Sequence, residues 1–462
     1  MIKNLIAATL FFTMSSGIAM AQDGWKNLFD GESLKGWKQI NGTATYTIEN
    51  GELIGTTVSG SPNSFIRTNK EYGDFILEFE AKLDHPMNSG VQIRSLSNKN
   101  YRDGRVHGYQ IELDTSPRAW TAGIYDESRS GWLYSLSRNK KGREAFKQND
   151  WNHIRVEAIG NSLRTWLNGV PAANLIDDQT AKGFIALQVH SISDDDTPGQ
   201  TVRWKNIRIK TDDLEASRIY MGDAIEEFNY VPNSLSPRQK AEGWELLWDG
   251  KTSNGWIGAK TKVFPTQGWE IKDGELSVLS SGGAESTNGG DIITEEEFSS
   301  FELELDFKIT KGANSGIKYF VDPELMKGDG SAIGLEFQIL DDVNHPDAKL
   351  GVKGNRTVGS LYDLITASNL SEEGVSNKRF NGIGEWNRAR IVVNGQRVEH
   401  WLNNSMTLSF YRRTQTFRAL VAYSKYKDWE NFGEWEKGPI LLQDHGDLVS
   451  FRSIKIKNLD KK

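Results

Sequence analysis

The sequence states one pattern twice. Gly24-Trp25-Lys-Asn-Leu-Phe-Asp30-Gly31 returns as Gly243-Trp244-Glu-Leu-Leu-Trp-Asp249-Gly250. The echo keeps its order along both copies. Asn88-Ser-Gly answers Asn314-Ser-Gly, and Gly108-Tyr-Gln-Ile-Glu112 answers Gly334-Leu-Glu-Phe-Gln338. Trp166-Leu-Asn168 answers Trp401-Leu-Asn403, and Leu187-Gln-Val-His190 answers Leu442-Gln-Asp-His445. A period of roughly 220 residues is far longer than any solenoid or propeller repeat, so it predicts two complete domains of one fold. Half of the chain must therefore be able to build the fold alone. Positions that agree between copies are also marked out within a single sequence.

The expected organisation is a signal peptide at 1–21, a first domain at 22–210, a linker with short helices at 211–241 and a second domain at 242–462. Lys3 precedes an apolar run, Leu5 to Met20, that closes on Ala19-Met20-Ala21. This predicts a secretory leader cleaved after Ala21. The run is too short for a good membrane anchor. The expected destination is a Gram-negative periplasm or the external medium, with no membrane anchor on the mature chain. Cysteine is absent, which excludes disulfides, thiolate metal sites and cysteine nucleophiles. A formal charge of −7 argues against nucleic acid or anionic membrane as partner.

Phe301-Glu-Leu-Glu-Leu-Asp-Phe-Lys-Ile309 alternates apolar and charged residues without a break, and Phe75 to Leu83 nearly does. Period two is the signature of a strand with one buried face. Asn-Gly pairs at 50–51, 168–169 and 394–395 punctuate such runs, and long helical periodicity is scarce. The pattern predicts an all-β chain of two tandem β-sandwich or jelly-roll domains. In the linker, Ser236 and Pro237 predict a short capped helix leading into the second copy. A fixed junction and a hinge are both compatible with it.

Ligands of such sandwiches lie across a concave face, where alternate side chains of several strands converge. Glu336 and Gln338 share a face, and Asp341 reaches it if the strand bulges or ends there. The first copy inverts the order, with Gln110 and then Glu112. Paired acids supply a general base and acid, or hold a divalent ion; the competing reading is a solvated polar face. Gln443 and His445, like Gln188 and His190, stand two apart, and an imidazole near acids can move protons or bind a metal. His400 lies on the apolar side of Val398-Glu-His-Trp-Leu402, where the first copy has Thr165; a lone histidine there is usually core. Arg94 and Lys318 follow the two Asn-Ser-Gly bends and suit sugar hydroxyls. Tyr125, Trp132 and Tyr362 offer stacking surfaces, although most of the 15 tryptophans must serve packing. Glu302-Leu-Glu-Leu-Asp306 has the look of a glucanase acid motif, but its apolar residues take the buried face, which leaves its acids to solvent. No HExxH, Gly-x-Ser-x-Gly or phosphate loop occurs.

Taken together, Gly-Trp-x-x-Leu-Phe/Trp-Asp-Gly, Asn-Ser-Gly, Gly-x-Glu-x-Gln-x-Leu-Asp, Trp-Asn-x-x-Arg, His-Trp-Leu-Asn and Leu-Gln-Asp-His-Gly resemble the 3-keto-disaccharide hydrolase domain family. The resemblance runs twice over nearly the whole chain. It implies a concanavalin-like sandwich, export, and cleavage of 3-keto-glycosides by hydrolysis or by elimination and hydration, in some members with a divalent metal. Carried over position by position, it implies catalytic roles for His445, Glu336, His400 and Asp341, with His445 or Glu336 as base and His400 or a metal polarising the ketone. It implies substrate contacts from Gln338, Gln443, Lys318 and Tyr362, and in the first copy from Arg94, Gln110, Glu112, Tyr125, Trp132 and His190. The first copy departs from the pattern at Gln110, Thr165 and Val189-His-Ser191, so it is either a binding module or differently specific. A lectin-like sugar-binding protein and an ordinary retaining glycosidase, which needs two carboxyls about 5–5.5 Å apart, are the competing readings.

Overall fold

A computed structural model describes residues 24–460, apart from 194, 323, 326–331 and 373. The expected leader lies outside the described residues. The chain is nearly all β and forms two tandem sandwiches of jelly-roll type. A nine-stranded and a seven-stranded sheet make the first, and an eight-stranded and a five-stranded sheet make the second. Pairing is antiparallel except where Phe228–Asn229 joins Leu175–Ile176 in parallel. Asn50-Gly51, Asn168-Gly169 and Asp273-Gly274 each place two consecutive residues at positive φ. That is the mirror-image hairpin turn whose twist matches its strands.

Each sandwich closes on its own core. Leu77, Phe79, Ile111, Leu187 and Trp204 are buried in the first. Leu303, Leu305, Phe307, Phe337 and Phe451 fill the second. The alternation of Phe301–Ile309 thus does point its apolar residues inward. Its acids, however, do not reach solvent as the sequence suggests. Glu304 and Asp306 are 5% and 2% exposed. Asp306 accepts from Arg388 Nε at 2.8 Å, and Glu304 pairs with Lys455 at 3.0 Å. The cover comes from the connecting segment. Tyr230 lies under the Arg388 guanidinium, 4.0 Å from it, and its hydroxyl accepts from Asn404 Nδ2 at 2.6 Å. Charges taken from water need partners of opposite sign.

The same segment fixes the junction. Helix Pro237–Ala241 carries a full capping box between Ser236 and Gln239, as Ser-Pro predicts. Glu226 bridges Arg138 of the first half at 2.6 Å and Arg390 of the second at 3.0 Å. Asn233 donates to the Gly274 carbonyl at 2.9 Å and accepts from Ser453 N at 2.7 Å. Arg138 stacks over Trp401, and Arg379 over Trp120. These contacts make a fixed junction, not a free hinge.

Arg94 is a correction. Alternation from Asn88 would aim it into the cleft. The strand instead bulges there: Arg94 takes φ 47°, and the register against Gly183–Val189 shifts between Gln92 and Ser95. Its guanidinium is turned away, onto the Gly73 and Gly160 carbonyls at 2.7 and 2.8 Å and Asp74 at 2.9 Å. Phe320, its counterpart in the second copy, bulges likewise at φ 51°.

Candidate active site

The inner sheet of the second sandwich presents a small polar cavity of about 70 Å³, lined by Glu336, Gln338, Lys318, Tyr362, Gln443 and His445. Six of the positions singled out in the sequence therefore converge. The register explains how. Strand Asn314–Asp322 sets Lys318 opposite Glu336 and Gly316 opposite Gln338. Gln443 N donates to the Gly316 carbonyl at 3.1 Å, which brings the third strand alongside. The glycine is needed. A Cβ on Gly316 would meet Glu336 Oε1 at 2.4 Å, because the carboxyl lies across that backbone. Gly90 has the same relation to Gln110, at 2.4 Å from its Cδ. Asn-Ser-Gly is thus repeated because its glycine makes room for the side chain of the next strand.

Glu336 is 5% exposed. Burial pushes its pKa above the ordinary carboxylate value, and the nearby Lys318 and Lys425 charges pull it partly back. With its amide oriented to satisfy the network, Gln338 donates to Glu336 Oε1 at 2.9 Å and to the Ser315 carbonyl at 3.0 Å. Tyr362 donates to Asp347 at 2.6 Å. Burial first, then this bond to a carboxylate, raises its pKa. Lys425 brings its ammonium over the Tyr362 ring at 4.2 Å, and enclosure lowers its pKa. Gln443 Nε2 donates to Glu285 Oε1 at 3.1 Å. His445 Nε2 lies 4.0 Å from the other oxygen of Glu285, while its buried Nδ1 has no hydrogen-bond partner.

His445 also belongs to a candidate donor set. One ligand atom each from His345, His445 and Asp447 lie within 4.8 Å of one another. His345 Nδ1 accepts from Asp347 N at 3.1 Å, which leaves Nε2 for the ion. Two imidazoles and a carboxylate fit a divalent transition metal.

Two expected catalytic positions fall outside the cavity. His400 is fully buried in the sandwich core, against Tyr319 Oη at 2.9 Å and the Gly359 carbonyl at 3.3 Å, and burial lowers its pKa to about 3. It is the neutral core histidine that its apolar strand face suggests. Thr165 takes the same part in the first copy, donating to the Ala122 carbonyl at 2.6 Å. Asp341 ends its strand by capping the following loop. It accepts from Gly312 N at 2.7 Å, Val343 N at 3.0 Å, Asn344 N at 3.1 Å and Asn344 Nδ2 at 2.7 Å. Burial opposes ionisation of Asp341, but these bonds prevail and its pKa is lowered. Sequence reasoning missed Lys425, Glu285, Asn314, Tyr426, His345 and Asp447. Asn314 belongs to the repeated Asn-Ser-Gly and was within reach; the others stand on irregular segments where the repeat gives no guide.

The first sandwich holds a wider cavity of about 500 Å³, with Gln110, Glu112, Tyr125, Trp132 and His190 in its wall. The Lys318–Glu336 pair is replaced by Gln92 donating to Gln110 at 2.6 Å. Glu112 is 3% exposed and accepts from Asn88 and from Gln110 Nε2, the latter at 3.1 Å. Burial raises its pKa from 4.5 to about 7. A carboxyl whose pKa is raised by folding binds its proton more tightly in the native state. Its contribution is complete below pH 4.5 and is lost as pH rises through 7. Glu112→Gln is expected to flatten the fall in melting temperature of the first sandwich between pH 5 and pH 8, recovering roughly 1–3 kcal/mol at the alkaline end. Calorimetry at the two pH values checks this, and parallel curves for variant and parent contradict it.

The chain is similar to known proteins. A curated 3-keto-disaccharide hydrolase of Bacteroides thetaiotaomicron is 38% identical over 248 residues, covering 49% of this chain and 82% of its own length. A crystal structure from Parabacteroides distasonis, provisionally described as a glycosyl hydrolase, is 28% identical over 50% of this chain and all of its own, with a TM-score of 0.42. A second structure of that description and organism is 28% identical over 47% of this chain and 99% of its own, with a TM-score of 0.34. The model of the 3-keto-alpha-glucoside-1,2-lyase-like domain matches residues 24–210 and again 243–457, and the chain belongs to that family.

Proposed function

We propose that this protein is an exported carbohydrate-active enzyme that cleaves 3-keto-glycosides, with turnover in the second sandwich. The observation that carries this reading is the buried Glu336 carboxyl, under the influence of two nearby lysine charges, in a cavity that His445 also lines. A sugar-binding protein needs amides and aromatics but no buried titrating pair. The family and the named relative supply the substrate class. The apolar run before Ala21 supports export.

The chemistry follows from the ketone. A carbonyl at C3 acidifies the hydrogen on C2. Glu336, deprotonated, takes that proton, and the electron pair moves into the C2–C3 bond as the C3 oxygen becomes an enediolate. The ammonium groups of Lys318 and Lys425 stabilise the new negative charge in a water-poor site. The pair then returns to form C1=C2 as the C1–O bond breaks, and the leaving oxygen takes the proton that Glu336 now carries. Water added across C1=C2 completes a net hydrolysis. A divalent ion held by His345, His445 and Asp447 would act as a Lewis acid beside these groups.

Glu336→Gln is expected to lower kcat/KM on a 3-keto-disaccharide by at least about 100-fold. Equal cleavage of the unoxidised parent sugar would make the protein an ordinary glycosidase. In the wild type, kcat/KM rises with pH through a Glu336 ionisation displaced above the ordinary carboxylate range, since only the ionised form is a base. The variant loses that limb. Gly316→Ala needs no unusual backbone angle. It is expected to leave the melting temperature within a few degrees while cutting turnover about tenfold or more, because only the carboxyl must move. Elemental analysis is expected to find about one divalent ion per chain in the wild type and none after EDTA dialysis or in His345→Ala; unchanged content in the variant would move the ion elsewhere.

A further inference from the structure

Outside the second-half site, a groove lies between the two sandwiches. A cavity of about 700 Å³ runs between first-half residues, among them Pro86, Met87 and Arg143, and second-half residues Ser371, Glu372 and Val375. Asn88 and Arg118 line both this cavity and the 500 Å³ cleft of the first sandwich, so the two adjoin. Together they make one elongated trough that neither half forms alone.

Arg102, Arg105, Arg118, Arg129 and Arg143 line the two cavities, beside the carboxyls of Glu112, Asp114, Glu127 and Glu372. Arg102 lines the cleft and makes no ion pair among the described residues; its guanidinium has only the Tyr101 ring, at 5.5 Å. Arg118 stands where the cavities meet, paired with Asp114 at 2.6 Å and stacked against Trp120 and Trp132. Arg143 lines the far cavity with a buried Nε that has no hydrogen-bond partner, and it too forms no ion pair among the described residues. That nitrogen is closed off from the cavity, so the terminal nitrogens are what the guanidinium offers a ligand. Trp132 and Tyr125 form the aromatic wall at the cleft end, 5.3 Å apart and steeply inclined, a surface against which a pyranose ring can pack. Planar guanidinium groups at intervals match carboxylates in bidentate fashion.

We propose that this trough binds an extended oligosaccharide carrying carboxylate groups, of the uronate class. One end lies at Trp132 and Glu112, and the chain passes Arg118 to reach Arg143 between the halves. Several sugar units are engaged, so affinity grows with chain length. The proposal concerns binding alone and stands whether or not the second sandwich turns over keto sugars.

Titration calorimetry on the full chain tests it with the dimer and tetramer of cellouronate and the matching neutral cello-oligosaccharides, which differ only at C6. The acidic tetramer is expected to bind about tenfold or more tighter than either the neutral tetramer or the acidic dimer, less so at high salt. Arg143→Gln should erase the gain with length and Arg143→Lys should keep part of it, while Arg102→Gln should reduce the preference for acid. Equal affinity for acidic and neutral chains, no gain with length, no binding at all, or an Arg143→Gln protein that behaves as wild type would each overturn the proposal.

Discussion

The site depends on one close approach. Glu336 can be buried across the neighbouring strand only because Gly316 has no Cβ, with 2.4 Å separating the carboxyl oxygen from where that atom would be. Once the carboxyl lies there, water is excluded from it. Its pKa rises, and the lysines that line the same space become its necessary partners. A lone buried carboxylate would simply take up a proton; flanking ammonium groups keep its ionised form within reach. The fold therefore supplies the base by geometry before any substrate arrives.

Duplication shows how little of that arrangement must change to give a different cleft. Gly90 keeps the close approach, but the side chain it admits is Gln110, which bonds to Gln92 where the second copy sets Glu336 against Lys318. A charged pair becomes an amide pair, and the carboxyl moves along the strand to Glu112. Arginines then enter from the surrounding loops. The two halves keep one backbone and differ in the charge they present, which is the freedom that a second copy allows.

How far the sequence could be read follows from what repeats. The sandwiches were legible in the strict alternation of Phe301–Ile309 and in the Asn-Gly turns, because period two and positive φ leave strong marks. Glu336, Gln338 and Lys318 were legible because they stand on regular strands, where spacing fixes facing, and Gln443 because it directly follows one. Arg94 was misread because a bulge cancels that spacing, and Asp341 because its strand has ended and its carboxyl is taken up by a loop. His400 carried two conflicting signals, and the apolar face on which it stands outweighed the family motif containing it. Lys425 and His345 could not be found by comparing the copies, since they stand on segments with no counterpart in the first half. The burial of Glu304 and Asp306 depends on Tyr230, far away along the chain, and no local pattern encodes it.

That last contact also explains why the halves act as one body. Glu304 and Asp306 sit on an outer sheet face, where a single sandwich would leave them in water. Covering them with Tyr230 requires opposite charge beside each, which Arg388 and Lys455 supply. Such a buried network contributes less to net stability than to specificity, since displacing one partner strands the others. It tolerates few relative placements of the halves. Glu226, bonded to an arginine from each side, narrows them further. A junction fixed in this way holds the groove between the sandwiches at constant width beside the first cleft, which is what binding of a long saccharide along both would require.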